Sequence, residues 1–249
     1  MSGHSKWATI KHKKGAIDAK RGKLFTKILR EITIAAKMGG SDMNTNPRLR
    51  TACQSARDSN MPKDTIERAV KKGAGELEGI SYEDFTFEGY ASGGVAIMFI
   101  GATDNKKRTT PEIRHALAKH GGNLGETGCV SYMFDRKGVI IADAGSKTED
   151  EMMEISLEAG ADDFELSEGI CRITCAPETI QSVREAVEAK GLKIESAKVE
   201  FVPKSTIKVE DKDAERVLKL ISALEDHDDV SEVYANYDIS PELMEKFSE

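Results

Sequence analysis

Apolar positions in the first eighty residues recur at helical spacing. Leu24, Phe25, Ile28, Leu29, Ile32, Ala35 and Ala36 fall on one stripe that Gly39-Gly40 ends, predicting a helix to about Met38. Asn46-Pro47 reads as an N-cap and a first-turn proline, opening a second helix to about Ser59 with Leu49, Ala52, Cys53 and Ala56 inward. Pro62 starts a third, carrying Ile66, Ala69 and Val70 and closed by Gly73. Short connections between three such helices predict a small bundle. Residues 2–14 show neither helical nor strand period and read as a mobile arm.

The period changes at Tyr82. Phe85 and Phe87 alternate in a strand, ASGG turns the chain, and VAIMFIGAT is a buried strand. Thr110-Pro111 opens a helix with Ile113, Ala116 and Leu117 inward, closed by Gly121-Gly122. CVSYMF reads as a strand, DRKG as a hairpin turn and GVIIA as the next strand. Thr148 and Glu151 make a capping box for a helix ending near Gly160. Strands DDFELS and ICRITCA, a helix from Pro177 to Lys190 and the long strand LKIESAKVEFV follow.

Residues 138–202 thus run strand–helix–strand–strand–helix–strand, the ferredoxin-like order. The strand–helix–strand of residues 95–134 is completed beyond that insert by TIKVE, a helix over 212–225 and VSEVYANYDI. The expected fold class is α+β: an N-terminal three-helix bundle, then two ferredoxin-like α+β domains, one inserted in the other. The expected boundaries are 1–80 for arm and bundle, 81–136 plus 203–249 for the split domain, and 137–202 for the insert.

Charge adds what periodicity leaves out. Residues 1–37 carry eight Lys and two Arg against one Asp and one Glu, net +8, although the whole chain is −7. Through residue 80 the net is +9, and residues 81–249 hold −16. Asymmetry of this size concerns partners, and the basic part suits a polyanion, nucleic acid first. The single tryptophan, Trp7, stands among Lys6, Lys11, His12, Lys13 and Lys14, so lysines can neutralise phosphates while the indole stacks on an unpaired base. Lys20, Arg21, Lys23, Lys27 and Arg30 continue the series and suit backbone contacts, which position without specifying sequence. A basic tail that only aids solubility has the same composition. A second basic tip, Lys106, Lys107 and Arg108 in DNKKRTT, sits between a strand and a helix of the acidic part, as a nucleic-acid contact or a solvated loop.

The second and third helices could form a helix-turn-helix presenting Lys63, Glu67, Arg68, Lys71 and Lys72 to a groove, though a plain bundle has the same pattern. The third helix has no Asn or Gln for base readout, which argues against strong sequence specificity. GGNLGETG, residues 121–128, follows a helix and precedes a strand, the reverse of a phosphate loop. Its glycines fit a helix end and a tight turn, or a partner-contacting loop.

Other chemistries lack their residues. Cys53, Cys129, Cys171 and Cys175 are too scattered for a disulfide framework or a zinc site, and reduced buried thiols are expected. The longest uninterrupted apolar run, VAIMFI, is too short to span a bilayer, and no apolar signal region opens the chain. A mitochondrial presequence would also be basic and amphipathic, but the arm flows into the first helix without a cleavage site; a cytoplasmic protein is expected. No hydrolase, zincin or Walker motif occurs, and His4, His12, His115, His120 and His227 have no partner at metal-ligand spacing. The expectation is a non-enzyme with no cofactor, no metal, no small-molecule substrate and no membrane partner.

The stretch GHSKWATIKHKKGAIDAKRGKLFTKILREI closely resembles the signature of the YebC/PmpR family. The resemblance continues through NPRLR, NMPKDTIERAVKKG, FEGYASGGVAI, TDNKKRTTPEIRHALAKHGGNLGETGCVSYMFDRKG and VSEVYANYDI, covering essentially the whole chain. Phe87 stands where the family usually has Tyr, and Ala91-Ser92 replaces a common Gly-Pro. The resemblance implies three domains. It marks Gly3, His4, Ser5, Lys6 and Trp7 as the family's arm, and Gly121, Gly122, Asn123, Gly125, Glu126 and Gly128 as its glycine loop, of no assigned role.

Members are described as DNA-binding transcriptional regulators. Similar proteins, including a mitochondrial translational activator of cytochrome c oxidase subunit I, act in translation, and bacterial relatives are linked to ribosomes stalled on proline runs. The resemblance therefore implies a nucleic-acid-binding regulator, with promoter DNA or ribosomal RNA and tRNA as alternative partners. The family description favours DNA; the Trp-bearing arm and the absence of a base-reading helix favour RNA.

Overall fold

The computed structural model describes residues 17–78, 81–167, 169–240 and 242–244, with side chains from Gly22 onward. The fold is α+β: N-terminal helices precede two antiparallel sheets. Two compact units are present, one of Phe134–Val202 and one of the chain to Met133 together with Pro203 onward.

In the larger unit, helices α1 (Ile17–Gly39), α2 (Pro47–Asp58) and α3 (Lys63–Gly73) form the expected bundle. Ile32, Ala35 and Ala36 of α1 pack on Leu49, Ala52, Cys53 and Ala56 of α2 and on Ile66 and Ala69 of α3. Asn46 caps α2 by accepting from Leu49 N, while its amide donates to the Ala35 and Gly40 carbonyls, so one side chain ends α1 and starts α2. Gly73 brings α3 against α1: a Cβ there would lie 2.2 Å from the Thr33 carbonyl oxygen.

The same unit holds a sheet of β1 (Glu83–Tyr90), β2 (Ala96–Thr103), β3 (Asn123–Leu124) and β9 (Val230–Ala235) in the order β3-β1-β2-β9. Helices α4 (Lys106–Lys119) and α7 (Asp211–Glu225) cover it, burying Ile113, Leu117, Val217, Leu218, Ile221 and Leu224 against Ile97 and Phe99. A ferredoxin-like order would place the TIKVE strand beside β2, on the side away from β9. The structure puts β1 there, and TIKVE becomes the two-residue β8 (Ile207–Lys208), parallel to β10 (Tyr237–Asp238) in a separate ribbon. Register explains the choice: β1 pairs with β2 along its whole length, Glu83 opposite Thr103 to Tyr90 opposite Ala96, and fills that edge of β2.

Three boundaries also differ. Helix α4 starts at Lys106 because Asn105 accepts from Arg108 N as its cap, leaving Pro111 inside the helix. CVSYMF is not a strand: Ser131–Met133 form a 3₁₀ turn. DRKG is not a turn but part of β4 (Phe134–Asp143).

The smaller unit has the ferredoxin-like order. Its elements are β4, α5 (Glu149–Glu158), β5 (Asp163–Ser167), β6 (Ile170–Cys175), α6 (Ile180–Ala189) and β7 (Lys193–Pro203), with strand order β5-β6-β4-β7. The capping box at Thr148 and Glu151 is formed. Cys171 and Cys175 are buried beside Ile140 and Val187, and burial pushes the Cys171 thiol up to about 12.

Candidate functional site

Lys6, Trp7, Lys11, His12, Lys13 and Lys14 lie outside the described residues, as do the arm positions Gly3, His4 and Ser5 and the side chains of Lys20 and Arg21. Lys23, Lys27 and Arg30 of α1 meet residues 225–229. Lys23 Nζ lies 3.4 Å from Asp226 Oδ1 and donates to its carbonyl, and Lys27 Nζ donates to the Glu225 carbonyl at 2.6 Å. Arg30 Nη1 donates to the Asp228 carbonyl at 2.6 Å and to Asp229 Oδ1 at 2.8 Å. Positions 23, 27 and 30 share one face of the helix, and that face lies on the EDHDD turn between α7 and β9. Burial lowers the Lys27 ammonium against the pull of Glu232, Glu225 and Asp226. Lys23, Lys27 and Arg30, read from the sequence as phosphate contacts, thus also tie the bundle to the split sheet.

Asp229 is the hub of this contact. Its buried carboxylate also accepts from Thr109 Oγ1 at 2.7 Å, Arg108 Nη2 at 2.8 Å and Thr103 Oγ1 at 3.2 Å. Burial would raise it, but the Thr109 hydroxyl and the Arg108 and Arg30 guanidinia outweigh burial and hold it below the usual carboxylate range. Arg108 reaches Asp229 while its side chain stays 44% exposed, and Lys106, also exposed, pairs with Glu83 at 3.1 Å. All three residues of the expected basic tip are exposed, on the first turn of α4 rather than in a loop.

The glycine loop has an organiser that sequence reading missed. Glu88 is buried, and its carboxylate accepts backbone N–H groups from Gly128 at 2.8 Å, Val130 at 2.7 Å and Ser131 at 2.8 Å. Its own carbonyl accepts from Gly125 N at 2.8 Å. Burial raises this carboxyl, yet the three backbone donors outweigh burial and leave it lowered. Asn123 and Leu124 pair with Tyr90 and Gly89 as β3, a contact that needs glycine at 89, where a Cβ would lie 2.3 Å from the Asn123 oxygen. Gly121, with φ of +78°, ends α4, and Gly128 has φ of +91°. The loop is thus fixed at Gly121, at the β3 pairing and around Glu88, leaving Glu126 and Thr127 exposed at its turn.

On α3, Lys63 pairs with Glu67, while Arg68, Lys71 and Lys72 are exposed. Among the described residues no group of three His, Cys, Asp or Glu side chains could hold a metal ion, and no helix is long and apolar enough to cross a membrane.

Both parts of the chain match known families. Residues 5–76 match the TACO1/YebC protein N-terminal domain, and residues 82–237 match the TACO1/YebC second and third domain. The chain belongs to the TACO1/YebC family. It is similar to a probable transcriptional regulatory protein of Syntrophus aciditrophicus, 54% identical over 249 residues and all of both chains. A probable transcriptional regulatory protein of Geobacter sulfurreducens is 54% identical over 246 residues, 99% of each chain. A crystal structure of a conserved hypothetical protein from Aquifex aeolicus is 49% identical, with a TM-score of 0.83 over 90% of this chain and 93% of that one. These relatives assign the chain to a family of regulators.

Proposed function

We propose that this member of the family is a non-enzymatic, cytoplasmic nucleic-acid-binding regulator of gene expression, acting as a DNA-binding transcriptional regulator, as its relatives' names suggest. The observation that carries the reading is the charge division: +9 through residue 80 against −16 beyond it. Lys23, Lys27 and Arg30 serve the junction with the acidic part, so the contacts to phosphate fall to Lys6, Lys11, Lys13 and Lys14, with Arg68, Lys71, Lys72 and Lys107 on the folded surface. Trp7 within the basic arm and the lack of Asn or Gln on α3 favour a second reading, a translation factor bound to ribosomal RNA or tRNA.

Competition binding at physiological salt separates the two. Intact protein and a version lacking residues 1–14 are offered labelled promoter DNA with ribosomes as competitor. A promoter held about a thousandfold over random DNA supports the transcriptional reading. Ribosomes that strip the protein from DNA, in a manner that depends on the arm, support the translational one. Binding of neither polyanion refutes both.

A further inference from the structure

A pocket of about 260 Å³ lies between α1, α3 and Tyr82 in the N-terminal bundle. Its wall carries Arg30, Arg68 and Lys72 and the threonines Thr26, Thr33 and Thr65; among the described residues no carboxylate lines it. Leu29 and Ala69 give it an apolar patch, and the Arg30 guanidinium lies over the Tyr82 ring, 5.3 Å from its centroid. Arg30 is held in place by Asp229 through Nη1, yet its buried Nε has no hydrogen-bond partner among the described residues. Arg68 and Lys72 are one turn apart and exposed.

From this geometry we infer that the pocket receives one unpaired nucleotide of a polynucleotide, the phosphate on Arg68 and Lys72 and the base against Leu29 and the Arg30–Tyr82 stack. The inference rests on the nucleic-acid reading above and adds a substrate class to it: single-stranded or looped nucleic acid rather than uninterrupted duplex. Size sets this limit. The cavity falls just under the roughly 300 Å³ of ordinary small-molecule pockets, so it suits one unit of a longer chain better than a free cofactor. A base paired and stacked inside a duplex does not enter a concave site, whereas a loop base does. Side-chain charge does the anchoring, because Lys72 stands in the last turn of α3, where the helix dipole repels anions. An exposed lysine and arginine with a threonine-lined recess carry the same features for looped RNA and for single-stranded DNA, and the test tells these apart.

The test is fluorescence anisotropy on the full chain with three probes of equal length: an RNA hairpin with an unpaired loop, a single-stranded DNA and a blunt DNA duplex. Thr65→Phe fills the recess; Arg68→Ala and Lys72→Ala remove surface charges without touching the core. Thr65→Phe is expected to weaken the hairpin and single-strand complexes about tenfold, the scale of one stacked base, and the duplex complex less than about twofold. Each charge variant is expected to weaken the unpaired probes and to lower their salt slope by about 0.7. The unpaired probe that loses more identifies the ligand as RNA or DNA. Equal losses on all three probes, or no loss with any variant, overturn the pocket. Should Thr65→Phe fail to fold, the two charge variants decide by the same comparison. A wild-type protein that binds no probe refutes the nucleic-acid reading itself. Probes that bind, weaken on deletion of residues 1–14 and ignore every pocket variant refute the pocket alone.

Discussion

Arg30 donates to Asp229 at 2.8 Å across 199 positions of sequence, joining the bundle to the edge of the split sheet. The two side chains are only 17% and 3% exposed, so water screens them little. Lys23 and Asp226, in the same contact, are 47% and 64% exposed. A double-mutant cycle on Arg30 and Asp229 is expected to give a coupling of about 1–3 kcal/mol. The cycle on Lys23 and Asp226 is expected below about 1 kcal/mol. Urea unfolding measures both, and equal couplings would contradict the burial argument.

Asp229 and Glu88 are both held below the ordinary carboxylate range in the folded chain. Their stabilisation is therefore complete above the unfolded carboxyl pKa of about 4 and is lost as pH falls through the lower folded values. The urea midpoint is expected to fall between about pH 5 and pH 2, and Asp229→Asn and Glu88→Gln should each flatten that fall. A variant with the wild-type acid dependence would remove that carboxyl from the account.

Glu88→Gln keeps the size of the side chain but removes the charge that three backbone N–H groups address. A loss of about 1.5–3 kcal/mol is expected, the scale of hydrogen bonding to a charged group. Amide exchange at Gly128, Val130 and Ser131 should quicken more than exchange in α1. Uniform quickening would mean that Glu88 acts on the whole fold and not on the loop.

Gly73→Ala places a methyl 2.2 Å from the Thr33 oxygen and 2.7 Å from Ala36 Cβ. Alanine is favoured over glycine by up to about 1 kcal/mol within a helix, so a net loss isolates the steric cost. That loss is expected at about 1–3 kcal/mol by thermal melting. A stabilised variant would show that α3 shifts away from α1 without penalty.

Elements set by local chemistry were legible in the chain alone. The stripe from Leu24 to Ala36, the Asn46-Pro47 start, the Thr148–Glu151 box and the alternation in the insert each appear where the periodicity puts them. Two competing signals misled the reading at α4: the Asn105 cap starts the helix at Lys106, so Pro111 lies inside it and forgoes one backbone hydrogen bond. β3 and β8, two residues each, are too short for any period to register.

Glu88 shows why the candidate site was only partly readable. Phe85 and Phe87 alternate inward, so strand period puts Glu88 on the opposite, outer face. It is buried because residues 125–131 fold over that face and supply three backbone donors, a covering that depends on chain far along the sequence.

By itself the sequence determined the helices, the α+β class, the ferredoxin-like insert and the uneven charge, because these follow from the spacing and identity of neighbouring residues. Tertiary structure decided which strand completes the split sheet, that Glu88 organises the glycine loop, and that Lys23, Lys27 and Arg30 face an acidic turn. Each of those outcomes is a competition among partners distant in sequence. Burial and geometry settle such competitions, and composition cannot encode them.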